Sequence, residues 1–150
     1  METVARKHEP ATAEWIRARM AADPELLAKF ESKIDRSGGA RACWPWTGGL
    51  NGAYGAFWMR PKFVRASRIA AALAGLGIDG IMACHGCDNP PCCNTGPGHL
   101  FAGTALDNTR DAIAKGRMVP KGDGCPAAKT NWARHSITRC RLTTIGVNTP

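Results

Sequence analysis

The chain has 150 residues, with 20 Lys and Arg against 12 Asp and Glu and a formal net charge of +8. That length is enough for one modest domain and a terminal extension, and the positive balance suits a polyanionic partner, most often nucleic acid. No stretch approaches the roughly 20 apolar residues of a membrane span, and the longest apolar run, Ile69 to Ile78, contains two glycines.

The amino end, METVARKHEPATAEW, lacks the apolar run of a secretory signal, so a cytoplasmic location is expected. In a reducing compartment, seven cysteines point to metal rather than disulfides, and an odd count fits complete pairing poorly.

From Ala11 to Ile34, Trp15, Ile16, Met20, Leu26, Leu27 and Phe30 recur at helical spacing. Asp23 followed by Pro24 marks the cap and first turn of a second helix. The pair reads as amphipathic helices packed on a core or on a partner. After a loop at Asp35 to Ala42, aromatic residues alternate with small ones, and Asn51-Gly52 signals a tight turn. This predicts a hairpin of Cys43–Thr47 with Tyr54–Met59 and a short strand at Phe63–Val64. A helix is predicted from Ala66 to Leu76, ended by Gly77, and a short buried strand over Gly80 to Cys84. Thr104, with Asp107 three residues on, caps a last helix that Gly116 ends. Beyond it the chain is basic and rich in Gly, Pro and Thr, as in an irregular arm.

The segment ACHGCDNPPCCNTGPGHL, from Ala83, gathers metal-binding side chains among Asp, Asn, Pro and Gly, which cannot form an apolar core. Cys87-x4-Cys92 can place two thiolates on one ion, and His99 follows across CNTGPG. A closed tetrahedral zinc site needs a fourth ligand, and Cys43 is the best candidate. Cys84 and Cys93 are spares able to replace one of these, and Cys125, His135 and Cys140 could form a second site. His85 lies between the strand and this loop. A neutral imidazole near its usual pKa of about 6.5 can take a proton from water. Asn108, on the helix that follows, offers a hard carbonyl oxygen suited to Mg²⁺.

These motifs, CWPWTGGLNGAYGAF, CHGCDNPPC, HLFAGT and LDN, closely resemble phage-type HNH endonucleases. Their Cys and His spacing is similar to that of the His–Cys box homing endonucleases. Both belong to the ββα-metal, or His-Me finger, superfamily, and the resemblance covers roughly Phe30 to Arg117. It implies an α+β protein: an amino-terminal helical segment (1–36), a ββα-metal finger core with a zinc-stapled loop (37–118), and a basic irregular carboxy-terminal tail (119–150). It implies His85 as general base, Asn108 as ligand of a catalytic Mg²⁺, and a structural Zn²⁺ on Cys43, Cys87, Cys92 and His99. Asn94 takes the position of the family's middle asparagine, where it braces the loop. The family usually writes CxNPxHL where this chain has CCNTGPGHL, two residues longer, and often has a histidine where Ser67 stands.

The resulting expectation is a phage- or mobile-element-encoded enzyme that hydrolyses double-stranded DNA and leaves 5′-phosphate and 3′-hydroxyl ends. Arg68 and Arg65, with Arg60 behind them, are the candidates to approach the phosphate. A homodimer is one route to a double-strand break. The rival reading is a zinc-stabilised nucleic-acid-binding protein without catalysis, which has no need of His85 with Asn108. A third is an interaction protein using the amino-terminal helices.

Overall fold

The computed structural model describes residues 11–118. Helices α1 (Ala13–Ala22) and α2 (Pro24–Glu31) open it. Thr12 caps α1 by accepting from the Trp15 N–H, and Asp23 caps α2 by accepting from the Leu26 N–H, with Pro24 in its first turn. Ile16 and Met20 of α1 and Phe30 of α2 are fully buried. These helices therefore share a core with the rest of the described chain, as their spacing predicts.

A three-stranded antiparallel sheet follows, in the order β1 (Leu50–Asn51), β2 (Tyr54–Met59), β3 (Lys62–Arg65), with β1 and β2 joined at Asn51-Gly52. The predicted hairpin of Cys43–Thr47 with Tyr54–Met59 does not form. Instead β2 pairs β1 at Tyr54 and Gly55 and β3 from Ala56 to Met59, with Phe57 opposite Val64 and Trp58 opposite Phe63. The Cys43–Thr47 segment makes only single bridges, Trp46 to Ile34 and Pro45 to Cys92. Pro45 has no N–H to give a ladder. Trp46 turns its ring inward, 5.3 Å from Phe30 and 5.7 Å from Phe57, and becomes the aromatic centre of the core.

Along β2 the pleat alternates. Gly55, Phe57 and Met59 are buried, while Tyr54, Ala56 and Trp58 face away. Helix α3 (Ala66–Leu73) then crosses the sheet. Its Ala66, Ala70, Ala71 and Ala72 are buried, and such small side chains let α1 and the strands approach closely. It stops three residues earlier than predicted: Ala74 is its cap, and Gly75 rather than Gly77 takes the left-handed turn, at φ 77°.

Strands β4 (Met82–His85) and β5 (Leu100–Gly103) form an antiparallel pair in which His85 lies opposite Leu100. The predicted strand at Gly80 to Cys84 is thus shifted toward the carboxy end, and His85 is a strand residue. Helix α4 (Ala105–Ala114) begins at a capping box in which Thr104 and Asp107 bond each other's backbone N–H. The architecture is α+β, and the order β4–loop–β5–α4 carries the Cys- and His-rich segment.

Gly55 is required by packing. A Cβ there would come within 2.7 Å of the Trp46 ring and 2.9 Å of the Ala66 Cβ. Gly55→Ala is expected to destabilise the fold by about 1–3 kcal/mol through overpacking, measured as a lower urea midpoint at unchanged slope.

Candidate functional site

Four side chains from three segments converge beside β4 and β5. Cys43 comes from the loop before the sheet, Cys87 and Cys92 from the loop after β4, and His99 from the residue before β5. Their ligand atoms all lie within 4.8 Å of one another. The sulfurs of Cys43 and Cys92 are each 3.7 Å from His99 Nδ1. His99 Nε2 is 3.1 Å from the Arg41 carbonyl. A carbonyl oxygen can only accept, so Nε2 carries the proton and the Nδ1 lone pair faces the sulfurs.

Three sulfurs and one imidazole nitrogen fit a tetrahedral cation of the zinc type. Burial pushes the Cys92 thiol up to about 12, so a thiolate there calls for a cation beside it. Cys43 is held below the usual thiol range, chiefly by its hydrogen bond with Asn89.

The loop is braced from inside. Buried Asn94 donates from Nδ2 to the carbonyls of Ala40 (3.0 Å) and Ala42 (2.7 Å), and its Oδ1 accepts from the Gly96 N–H at 2.8 Å. This is the bracing expected from the sequence, and it ties the metal loop to the Cys43 segment. The longer loop turns outward at exposed Pro97 and Gly98, so its length leaves the four-ligand set intact. Cys93 points into the hydrophobic core and Cys84 lies against the Gly103 carbonyl, so neither joins the cluster.

Next to the cluster is a cavity of about 250 Å³. Tyr54 and Arg65 line it from the sheet, His85 from the end of β4, Asp88 from the metal loop, and Asn108 and Arg117 from α4 and the residues after it. The imidazole and carboxamide singled out in the sequence therefore border the same space. His85 Nε2 is 3.2 Å from the Cys92 carbonyl. By the same rule Nε2 is the protonated nitrogen, which leaves Nδ1 able to accept a proton. Burial pushes the His85 pKa below its ordinary value and Arg65 adds to this, against the opposing Cys92 bond. The ring is neutral at neutral pH.

The two arginines grouped in the sequence separate here. Arg65 holds its guanidinium 4.2 Å over the Tyr54 ring, itself 6.1 Å from the His85 ring. Arg68 also borders the cavity, but its nitrogens donate to the carbonyls of Ala11 (2.9 Å), Ile81 (3.2 Å) and Ile78 (3.0 Å). It ties the start of α1 and the segment before β4 to α3. Arg60 is exposed at the β2–β3 turn and does not line the cavity.

Sequence reasoning missed Tyr54, Asp88 and Arg117. Arg117 pairs with Asp88 at 2.8 Å and with Asp111 at 2.7 Å, and Lys115 donates to the Gly86 carbonyl at 2.6 Å. These contacts clip the metal loop to the end of α4. Nothing in local spacing relates Asp88 to Arg117, which meet only because β5 and α4 double back. Cys125, His135 and Cys140, and the whole 119–150 segment, lie outside the described residues.

Two proteins of Escherichia phage T7 are similar to this chain. Protein 7.7 is 42% identical over 83 residues, which are 54% of this chain and 62% of that protein. Protein 2.8 is 38% identical over 96 residues, 62% of this chain and 63% of that protein. The chain thus spans less than two thirds of the length of these curated relatives. No family model matches the chain, and no solved structure matches it either. Among the described residues, no helix is long and apolar enough to cross a membrane.

Zinc content measured by mass spectrometry, together with thermal melting, checks the ligand set. Cys43→Ser and Cys92→Ser are expected to lose the metal and melt well below the parent protein, while Cys93→Ala keeps its zinc. Equal zinc loss from Cys93→Ala and Cys92→Ser would overturn the assignment.

Proposed function

We propose that this chain is a metal-dependent DNA endonuclease of the HNH, ββα-metal type, with His85 as its general base. The observation that carries the reading is one cavity bordered by an imidazole with an acceptor nitrogen, a carboxamide and an exposed arginine stacked on Tyr54. The order of strand, metal-clipped loop, strand and helix is the arrangement the resemblance implies, and the +8 net charge suits a phosphate backbone.

His85 Nδ1 takes a proton from a water molecule, whose oxygen attacks phosphorus in line. The P–O3′ bond breaks and its electron pair leaves on the 3′ oxygen, which is then protonated from solvent. The ends are 5′-phosphate and 3′-hydroxyl. The Cys92 carbonyl fixes the ring so that Nδ1 stays presented, and it stabilises the imidazolium once the proton is taken.

Asn108 would hold Mg²⁺ through Oδ1, and such an ion would supply neutralisation of the negative charge that develops during hydrolysis. The donor is suitable: a hard amide oxygen on an exposed helix position. Asp88 shares the cavity wall, but Arg117 and Lys115 already engage its carboxylate. Arg65 pairs with the phosphate from the sheet side. The four-ligand cluster leaves no open position for chemistry, so its role is to hold His85.

Plasmid cleavage with Mg²⁺ and with magnesium omitted tests the reading. The parent protein is expected to nick or linearise the plasmid only with magnesium. His85→Ala and Asn108→Ala should each lower the rate by about 10²-fold or more at unchanged zinc content. Arg65→Ala should lower cleavage without changing the melting temperature, whereas Arg68→Ala should lower the melting temperature. Undiminished cleavage by His85→Ala would refute the assigned base. An inert parent protein that still binds DNA would favour the binding-only module.

A further inference from the structure

The outer face of the β2–β3 sheet carries two large aromatic side chains that the proposed chemistry does not use. Trp58 is 47% exposed and Phe63 is 67% exposed. They are direct cross-strand partners, with ring centroids 4.8 Å apart and planes tilted by 55°. Cross-strand aromatic pairing stabilises a sheet, but it does not require this much apolar surface in water. The pleat puts Trp58 on the same face as Tyr54, and Phe63 on the same face as Arg65. From Phe63 and Trp58 the face therefore runs to Arg65, stacked on Tyr54, and on to the His85 cavity.

The charge of this region is one-sided. Residues 54–65, which make β2, its turn and β3, contain no Asp or Glu, while Arg60, Lys62 and Arg65 all lie there. Of these, exposed Arg60 lies between Trp58 and Phe63 in the chain, and exposed Arg65 lies two residues beyond Phe63. Open aromatic faces interleaved with arginines are the components of a surface that stacks nucleobases while pairing with phosphates.

We propose that Trp58 and Phe63 form a base-stacking platform for an unpaired nucleotide of the DNA strand that enters the His85 cavity. This rests on the nuclease reading for the identity of the strand, but the stacking itself does not need cleavage. Trp58 lies four residues along β2 from Tyr54, or about 13 Å at the usual strand rise. That is roughly four nucleotide steps of stacked DNA. The enzyme therefore favours DNA with a bulge, flap or opened pair close to the scissile phosphate over a perfect duplex.

The test measures binding of the zinc-loaded full chain, without added magnesium, to fluorescein-labelled DNA. The probes are one duplex, fully paired or carrying a short central bulge. The expected result is about tenfold tighter binding of the bulged probe by the parent protein. Quenching of tryptophan fluorescence should be larger with that probe. Trp58→Ala with Phe63→Ala should remove the preference while leaving the affinity for paired duplex and its salt dependence unchanged. Phe63→Ser alone, at a site two-thirds exposed, should weaken the preference even if the double variant fails to fold. Trp58→Phe should retain it.

Equal affinity of the parent protein for both probes overturns the proposal. So does a preference that survives both the double variant and Phe63→Ser. If those variants instead convert a dimer to a monomer and leave DNA binding intact, the face is a self-interface and the platform is refuted. A protein that prefers the bulge but never cleaves plasmid refutes the nuclease reading alone.

Discussion

Cys92 serves two groups at once. Its sulfur sits among the ligand atoms of the metal cluster, and its carbonyl accepts from His85 Nε2. The position and tautomer of the proposed base therefore depend on the same residue that closes the metal loop. Around it, Pro45 bridges to Cys92, the Trp46 N–H donates to the Pro91 carbonyl, and the Cys93 N–H donates to the Trp44 carbonyl. The loop is consequently sewn to the Cys43 segment by backbone as well as by thiol chemistry. A protein of this size has a limited core, and a cation held by the four-ligand cluster would offset that limit where the chain is rich in Gly, Pro and Asn.

The rest of the site is built outward from that clasp. Asn94 braces the loop from within, and the Asp88, Asp111, Lys115 and Arg117 ion pairs clip it to the end of α4 from outside. Each exposed pair contributes little to stability on its own. Together they join the loop that bears Asp88 to the helix that bears Asn108. On the other side, Trp46 locks β2 onto the core, so the sheet presents Tyr54 and Arg65 toward His85 as a fixed wall.

What was legible in the sequence had a local physical signature. Asp23-Pro24, Thr104 with Asp107, and Asn51-Gly52 each announce a cap or a turn by residue type, and each does what it announces. The four-ligand cluster was legible because thiols and imidazole in a polar loop have few other uses. The pairing of the aromatic segment was not. Alternation along Cys43–Thr47 resembles a strand, but Pro45 breaks the ladder and Trp46 is taken by the core. β5 is four residues long and lacks clear alternation, so nothing marked it before its pairing with β4 was seen. Arg65 and Arg68 look equivalent three residues apart. Only the carbonyls of Ala11, Ile78 and Ile81, gathered from distant segments, separate a structural arginine from one open to a ligand.

The proposal turns on the base His85 and the magnesium ligand Asn108 acting in one shared cavity, apart from the cluster that holds His99. Titrating the zinc-loaded, isotope-labelled protein with Mn²⁺ and following paramagnetic broadening by NMR tests it most directly. The Asn108 side-chain amide and His85 ring signals are expected to broaden first, at substoichiometric manganese, before those of His99, and excess Mg²⁺ is expected to restore them. Broadening that begins elsewhere and leaves Asn108 and His85 sharp would contradict it.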